Sequence, residues 1–259
     1  MGKLATAERV SRDASDNFVF QRSLLAYARA AELVSGDVLE IGTGTGYGIE
    51  LVAPHCRRFV TVDKCAAAPI PPTADIEFRQ MCVPPLDFED GSFDFVITFQ
   101  VIEHIDDDAA FVREIARVLR PGGRLILTTP NAPMSLTRNP WHVREYRIDE
   151  LRRRLSEAFP AVEACGVFGN DRVMEYYEHN RRSVERIARF DIFDLQHRLP
   201  RRLLQLPYDL LNRINRRRLL RQNETLTTSI RMDDYRIAPA AEGCFDLFFI
   251  ATKQPPATA

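Results

Sequence analysis

The chain has 259 residues, with 35 Lys+Arg against 36 Asp+Glu, a formal net charge of −1, and 45% hydrophobic and 27% charged residues. That balance supports a buried core in one large domain, or one domain with an insertion, and excludes composition-driven disorder and bulk nucleic-acid binding. No apolar run approaches the roughly 18 residues of a membrane-spanning helix, and Met1-Gly2-Lys3-Leu4-Ala5-Thr6 lacks the apolar block of a secretory signal. Cys56, Cys65, Cys82, Cys165 and Cys244 are scattered and never in a C-x-x-C pair. This predicts neither a disulfide framework nor a structural zinc site, and it fits a reducing cytoplasm.

Phe20, Leu24, Tyr27, Ala28 and Ala31 recur at helical spacing, predicting a helix from Phe18 to Val34. Val38-Leu39-Glu40-Ile41 reads as a first buried strand, broken by the glycine run 42–48, after which Ile49 to Ala53 is helical. Arg58 to Val62 is a second strand with Asp63 at its carboxyl end, Ile76-Glu77-Phe78 a third, and Phe93 to Phe99 a fourth. Asp106 or Asp107 caps a helix carrying Phe111, Val112, Ile115, Val118 and Leu119. Pro121-Gly122-Gly123 reads as a turn into a fifth strand, Arg124 to Thr129. A helix over Ile148–Ala158 and strands over Val162–Phe168 and Asp246–Ala251 complete the pattern, and Gln254-Pro255-Pro256 ends it. Strands alternating with helices imply βαβ units and a mostly parallel sheet.

Glu40-Ile41-Gly42-Thr43-Gly44-Thr45-Gly46-Tyr47-Gly48 sits where a strand hands over to a helix. Glycines there allow positive φ and let a ligand approach the backbone, and helix-start amides favour anionic groups. The dinucleotide fingerprint G-x-G-x-x-G fails, because Tyr47 and Ile49 occupy the positions where it needs glycine. A ligand-free glycine turn is the plain alternative. Asp63, 21 residues after Gly42, is placed to accept ribose hydroxyls, although a lone Asp at a strand end also serves as a turn former.

The segments Val38 to Gly46, Asp63, Leu86-Asp87-Phe88-Glu89-Asp90-Gly91-Ser92-Phe93-Asp94-Phe95-Val96, Val101-Ile102-Glu103-His104-Ile105 and Arg117 to Gly123 together resemble class I S-adenosylmethionine-dependent methyltransferases, in the branch often called methyltransferase type 11. The resemblance covers roughly residues 35 to 165. It implies that Glu40 and the backbone of Gly42, Thr43, Gly44 and Gly46 hold the amino-acid end of S-adenosyl-L-methionine, that Asp63 holds its ribose, and that Gln100 presents a backbone carbonyl to its ammonium. Where the family commonly has an Asp for the adenine amino group, this chain has Cys82 followed by Val83. A thiol is a weak acceptor, so the adenine contact is expected to be weaker or supplied elsewhere, with the Val83 amide in reach of the ring.

Methyl transfer from a sulfonium requires alignment above all, and a base only where the acceptor must lose a proton. Neither a metal cluster nor a nucleophile triad is needed or evident. His104, after the fourth strand, and His142, in Asn139-Pro140-Trp141-His142-Val143-Arg144-Glu145-Tyr146 after the fifth, are the base candidates. His104 could instead order its loop with Glu103. Trp141, Arg144 and Tyr146 are candidate substrate-binding residues. Trp141 could equally be core, and Arg144 could simply pair with Glu145 or Glu150.

Between Arg181 and Arg221 lie twelve arginines and four acidic residues, a net charge of +8, so the remainder of the chain carries −9. Nine Leu and Ile residues interleave with them from Leu199 to Leu220, and Pro200 and Pro207 are expected to divide the segment into short helices. The plain reading is a cap over the pocket with solvated arginines. The alternatives are docking to anionic lipid, which basic amphipathic helices favour, and RNA binding, for which the nearby aromatics Tyr176, Tyr177, Phe190 and Phe193 form no recognisable motif.

The reading is an α/β fold with a doubly wound, mostly parallel seven-stranded Rossmann-like sheet. Residues 1–34 form an N-terminal helical segment, 35–169 the S-adenosylmethionine-binding core, 170–240 a basic helical insertion, and 241–259 the final strand and tail. The expected activity is cytoplasmic methylation, on an oxygen by preference, of a small-molecule or lipid-linked acceptor. The alternatives are a non-catalytic cofactor-binding or interaction protein and an NAD-dependent oxidoreductase.

Overall fold

In the computed structural model, residues 11–65, 76–189 and 198–255 are described. Met1 to Thr6, the aromatics Phe190 and Phe193, Asp191, Asp194 and Pro256 lie outside them.

Apolar residues on both faces make β1 (Asp37–Ile41) buried throughout. It pairs in parallel with β2 (Arg58–Asp63) on one side and β4 (Phe93–Phe99) on the other. β3 (Ile76–Gln80) flanks β2, and β5 (Leu119–Pro130) flanks β4, again in parallel. β8 (Asp246–Thr252) runs antiparallel between β5 and β6 (Ala161–Gly169). β7 (Tyr235–Pro239) closes the edge, giving the order β3-β2-β1-β4-β5-β8-β6-β7. The chain therefore reverses direction across the sheet between β1 and β4, the point at which doubly wound folds open a ligand crevice at their strand carboxyl ends.

The sheet has eight strands where the sequence predicts seven. The added strand lies within the segment read as helical. It is short, at the sheet edge, and ends in Pro239, so it lacks the long apolar alternation of an internal strand. Pro121-Gly122-Gly123, read as a turn, lies inside β5, opposite a register shift at Phe93/Phe95.

The helices α1 (Asn17–Leu33), α2 (Ile49–Val52), α3 (Asp108–Val118), α4 (Ile148–Ser156) and α5 (Asp171–Ala188) flank the sheet, and α6 (Arg201–Gln222) and α7 (Glu224–Ser229) pack on helices. Phe111, Val112 and Ile115 of α3 and Leu151 and Leu155 of α4 pack on one face, and Ala26, Tyr27 and Ala30 of α1 with Val173 and Tyr176 of α5 on the other. Pro207 does not divide α6, which runs 22 residues through it. The proline removes one amide from the second turn and sits on the exposed side, where water can satisfy the carbonyl left behind.

Candidate active site

The turn after β1 is tied to β2 from below. Gly42 N and Thr43 N donate to the Val62 carbonyl (2.8 and 3.2 Å), and Gly46 N donates to Thr43 O (2.9 Å). Gly42 has φ 96°, and a Cβ there would meet Val101 Cγ2 at 2.4 Å. Gly44 has φ 57°, and a Cβ there would meet nothing nearer than Gly42 O at 4.0 Å. The first glycine is thus required by packing, whereas the second leaves open space above the backbone.

Asp63 closes this turn. Its Oδ2 accepts from Gly44 N (2.9 Å) and its Oδ1 from Cys65 N (2.8 Å). A carboxylate oxygen can accept more than one hydrogen bond, so this pairing is compatible with a ligand hydroxyl at Asp63. Beneath the turn, Glu40 is 2% exposed. Tyr27 Oη donates to Glu40 Oε1 (2.7 Å) and Thr61 Oγ1 to Glu40 Oε2 (2.5 Å). Because the Thr61 proton points at Glu40, the Thr43 hydroxyl, 2.5 Å away, is the donor to Thr61. Burial pushes the Glu40 carboxyl up to about 7, against the pull of its two hydroxyl donors. Tyr27 is held by Tyr47 and Phe99 at edge-to-face ring distances of 5.3 and 4.8 Å, and it covers Gly48, where a Cβ would fall 2.1 Å from its ring.

Gln100 follows β4 at φ 57°, the non-glycine residue with positive φ among the described residues. Its amide donates to Thr128 O (2.9 Å). Nearby, Asp246 is buried and paired with Arg22 Nε (2.7 Å). Burial raises the Asp246 pKa, opposed by Arg22 and the Gln100 side chain. Cys82 is exposed after β3, while Val83 packs partly into the core.

An open glycine backbone with carboxylates beside and beneath it fits a ligand carrying hydroxyls and an ammonium, as S-adenosylmethionine does. Glu40, Gly42, Thr43, Gly44, Gly46 and Asp63 are brought together at the carboxyl ends of β1 and β2. Gln100 lies at the end of β4, across the switch point.

Past β4, Glu103 is buried, and its Oε2 accepts from Thr129 Oγ1 (3.0 Å). Its Oε1 has no hydrogen-bond partner among the described residues. Burial raises the Glu103 pKa, and His104 and His142 pull it down. The two imidazoles meet edge-to-face with centroids 4.9 Å apart, and one ligand-type atom from each of Glu103, His104 and His142 lies within 4.8 Å of the others. His104 Nδ1 lies 3.1 Å from Trp141 O, and a carbonyl only accepts, so Nδ1 carries the proton and Nε2 the lone pair. His142 Nδ1 lies 2.7 Å from Glu145 Oε1, and its Nε2 lies 2.8 Å from Asn139 Nδ2. Asn139 Oδ1 accepts from Trp141 N (3.0 Å), which orients the amide so that Nδ2 donates to Nε2. In both histidines Nδ1 therefore carries the proton and Nε2 is the basic nitrogen.

Arg144 and Tyr146 are not part of this cluster. Arg144 Nη1 (2.6 Å) and Tyr146 Oη (2.7 Å) both donate to Asp108 Oδ2, at the start of α3. They tie the loop to α3, with Arg154 Nε 3.1 Å from the other Asp108 oxygen. Arg144, a candidate for substrate binding with pairing to Glu145 or Glu150 as the alternative, pairs instead with Asp108. Trp141 does face the cluster through its backbone, and its Nε1 donates to Asp209 Oδ1 (3.0 Å) on α6.

Glu145 and Asn139 were not singled out as functional from sequence. The His142–Glu145 spacing of three within a polar loop is the signal that could have found them. Tyr27 and Asp246 carry no such signal, because their partners lie on other elements.

Residues 14–160 match a family model described as a methyltransferase domain. The chain is 35% identical over 245 residues to a probable S-adenosylmethionine-dependent methyltransferase of Mycolicibacterium smegmatis, an alignment covering 90% of this chain and 86% of that one. It is 40% identical over 181 residues to a protein of the same description from Mycobacterium tuberculosis, covering 66% of each. In fold it is similar to a Thermotoga maritima protein described as an S-adenosylmethionine-dependent methyltransferase and possible histamine N-methyltransferase, with TM-score 0.55, 15% identity and 92% of each chain covered.

Proposed function

The chain belongs to the family of S-adenosylmethionine-dependent methyltransferases, and from that premise we propose that it methylates an oxygen of a small-molecule or lipid-linked acceptor, with His142 taking the hydroxyl proton. The oxidoreductase weighed from the glycine loop and Asp63, and the non-catalytic binding protein weighed from Cys82 and the unassigned base, are set aside by that membership. No helix among the described residues is long and apolar enough to cross a membrane.

S-adenosylmethionine, when bound, supplies a methyl group activated by its sulfonium, for which alignment can contribute about 7–11 kcal/mol of barrier reduction. The Gly42–Gly46 backbone and Asp63 would hold the nucleoside and the amino-acid end, with Glu40 and the Gln100 carbonyl toward the ammonium. Cys82 and the Val83 amide would border the adenine.

The observation that carries the oxygen assignment is the hydrogen-bonded chain Glu145–His142–Asn139. Glu145 fixes the His142 tautomer and stabilises the imidazolium that forms when Nε2 takes a proton. The Asn139 amide occupies Nε2 until an acceptor hydroxyl replaces it. A neutral amine attacks through its own lone pair and needs no base first, so an oriented base points to a hydroxyl. His104 lies alongside, its ring edge-to-face with that of His142 at 4.9 Å between centroids. Trp141 walls the acceptor side, and Arg144 and Tyr146 anchor the loop through Asp108.

Release of S-adenosylhomocysteine across matched hydroxyl and amine acceptors tests this. Turnover confined to hydroxyl acceptors supports it, and efficient turnover of the amines instead overturns it. A second reading is favoured by the unpartnered Glu103 Oε1: a divalent cation on Glu103, His104 and His142 could activate the hydroxyl. Chelation separates the two.

A further inference from the structure

Among the described residues, the exposed large aliphatic side chains are Leu203 (63%), Leu206 (78%), Leu210 (61%), Leu211 (47%) and Ile214 (53%), all on α6. At 100° per residue, Leu203, Leu206, Leu210 and Ile214 fall within an arc of about 80°. Arg217 and Arg221 continue the same arc toward the helix carboxyl end, and both are exposed, as are Arg202 and Arg218. The helix carries seven arginines against one acidic residue, Asp209.

The opposite side of α6 is anchored. Asn215 and Leu219 are buried, Asn215 Nδ2 donates to Asn180 Oδ1 (2.8 Å), and Arg216 pairs with Asp16 (2.6 Å). The outward leucines are therefore not a core face awaiting its own domain. Toward the amino end, the helix reaches the catalytic loop: Asp209 accepts from Trp141 Nε1, and Arg201 Nη1 donates to His142 O (3.2 Å).

We propose that this face of α6 docks on an anionic lipid bilayer, lying in the plane of the interface with its leucines in the acyl boundary and its arginines among the headgroups. An exposed aliphatic stripe needs an apolar partner, and flanking arginines need an anionic one. A bilayer rich in acidic lipid offers both at once. A second copy of the chain would bring together two helices that each carry seven arginines against one acidic residue, and a nucleic acid would leave the leucines in water. The bonds from Arg201 and Asp209 to the loop carrying Trp141 and His142 lie off the leucine arc, so the docked helix stays tied to the site while its apolar face is free for the bilayer. Docking itself is independent of which atom is methylated.

Flotation of the full chain with phosphatidylcholine vesicles, with and without about one-third phosphatidylglycerol, tests the proposal without any turnover assay. The expected result is co-flotation with the anionic vesicles only, weakened by high salt. Leu206→Glu combined with Leu210→Glu is expected to lower partitioning about tenfold or more. Unchanged thermal unfolding and S-adenosylhomocysteine binding would show that this variant folds. Equal binding to neutral vesicles, no binding to anionic ones, undiminished binding by the double variant, or a wild-type dimer that the double variant dissolves would each overturn it. So would RNA binding that competes with the vesicles and survives the leucine substitutions.

Discussion

Glu145 Oε1 stands 2.7 Å from Nδ1 of His142, three residues away on the same loop. That contact decides which imidazole nitrogen is basic. Glu145→Gln preserves a hydrogen bond but removes the charge that stabilises the imidazolium. Turnover is expected to fall by about tenfold or more, a part of the roughly 10²–10⁴-fold that general-base catalysis contributes, while S-adenosylhomocysteine affinity holds. Because both His142 nitrogens are already engaged by Glu145 and Asn139, EDTA should leave the wild-type rate unchanged. A rate lost to EDTA and restored by a divalent ion would favour the metal reading instead.

Asp63 accepts two backbone amides and is assigned the ribose. Asn at this position keeps one acceptor oxygen and loses the charge. A hydrogen bond to a charged group contributes about 1.5–3 kcal/mol, so calorimetry should show S-adenosylhomocysteine binding weakened about tenfold to a hundredfold in Asp63→Asn. Unchanged affinity would remove Asp63 from the ribose site.

Glu40 titrates from about 7 in the fold, against 4.5 for an unperturbed carboxyl. Between those values the folded chain keeps a proton that the unfolded chain has released. The stability contributed is full below 4.5 and is lost as pH rises to about 7. A shift of that size corresponds to about 3 kcal/mol. Denaturant titrations should therefore show wild type losing stability relative to Glu40→Gln across this window. Binding a ligand ammonium beside Glu40 favours the carboxylate, so S-adenosylhomocysteine binding near neutral pH should release a proton. That release would appear as a buffer-dependent heat in wild type and be absent from Glu40→Gln.

Gly48 has ordinary backbone angles, so its requirement for glycine is steric. Gly48→Ala would press a methyl group into the Tyr27 ring. Overpacking of this kind costs about 1–3 kcal/mol, measurable as a lowered thermal midpoint. Because Tyr27 also donates to Glu40, cofactor affinity should fall with it.

The parallel half of the sheet was legible because strands buried on both faces read as predominantly apolar runs, as in Val38 to Ile41, interrupted only by Glu40, and Phe93 to Phe99, interrupted by Asp94 and Thr98. The start of α3 was legible too: Asp107 Oδ1 accepts from Ala110 N at 2.8 Å, a cap written in local sequence. β7 was not, because pairing with β6 on one side only asks little of its sequence. Pro207 misled because a proline near a helix start removes few hydrogen bonds. At the site, the glycine turn and Asp63 are local patterns and could be read directly. The commitment of Arg144 and Tyr146 to Asp108, 36 and 38 residues away, could not, because nothing local announces a partner on another element.

The most direct measurement compares the rate of S-adenosylhomocysteine release by wild type and His142→Ala on the best hydroxyl acceptor. The account predicts a rate about a hundredfold lower in the variant, with S-adenosylhomocysteine bound as tightly as by wild type. A variant that binds equally well and turns over at the wild-type rate would contradict it.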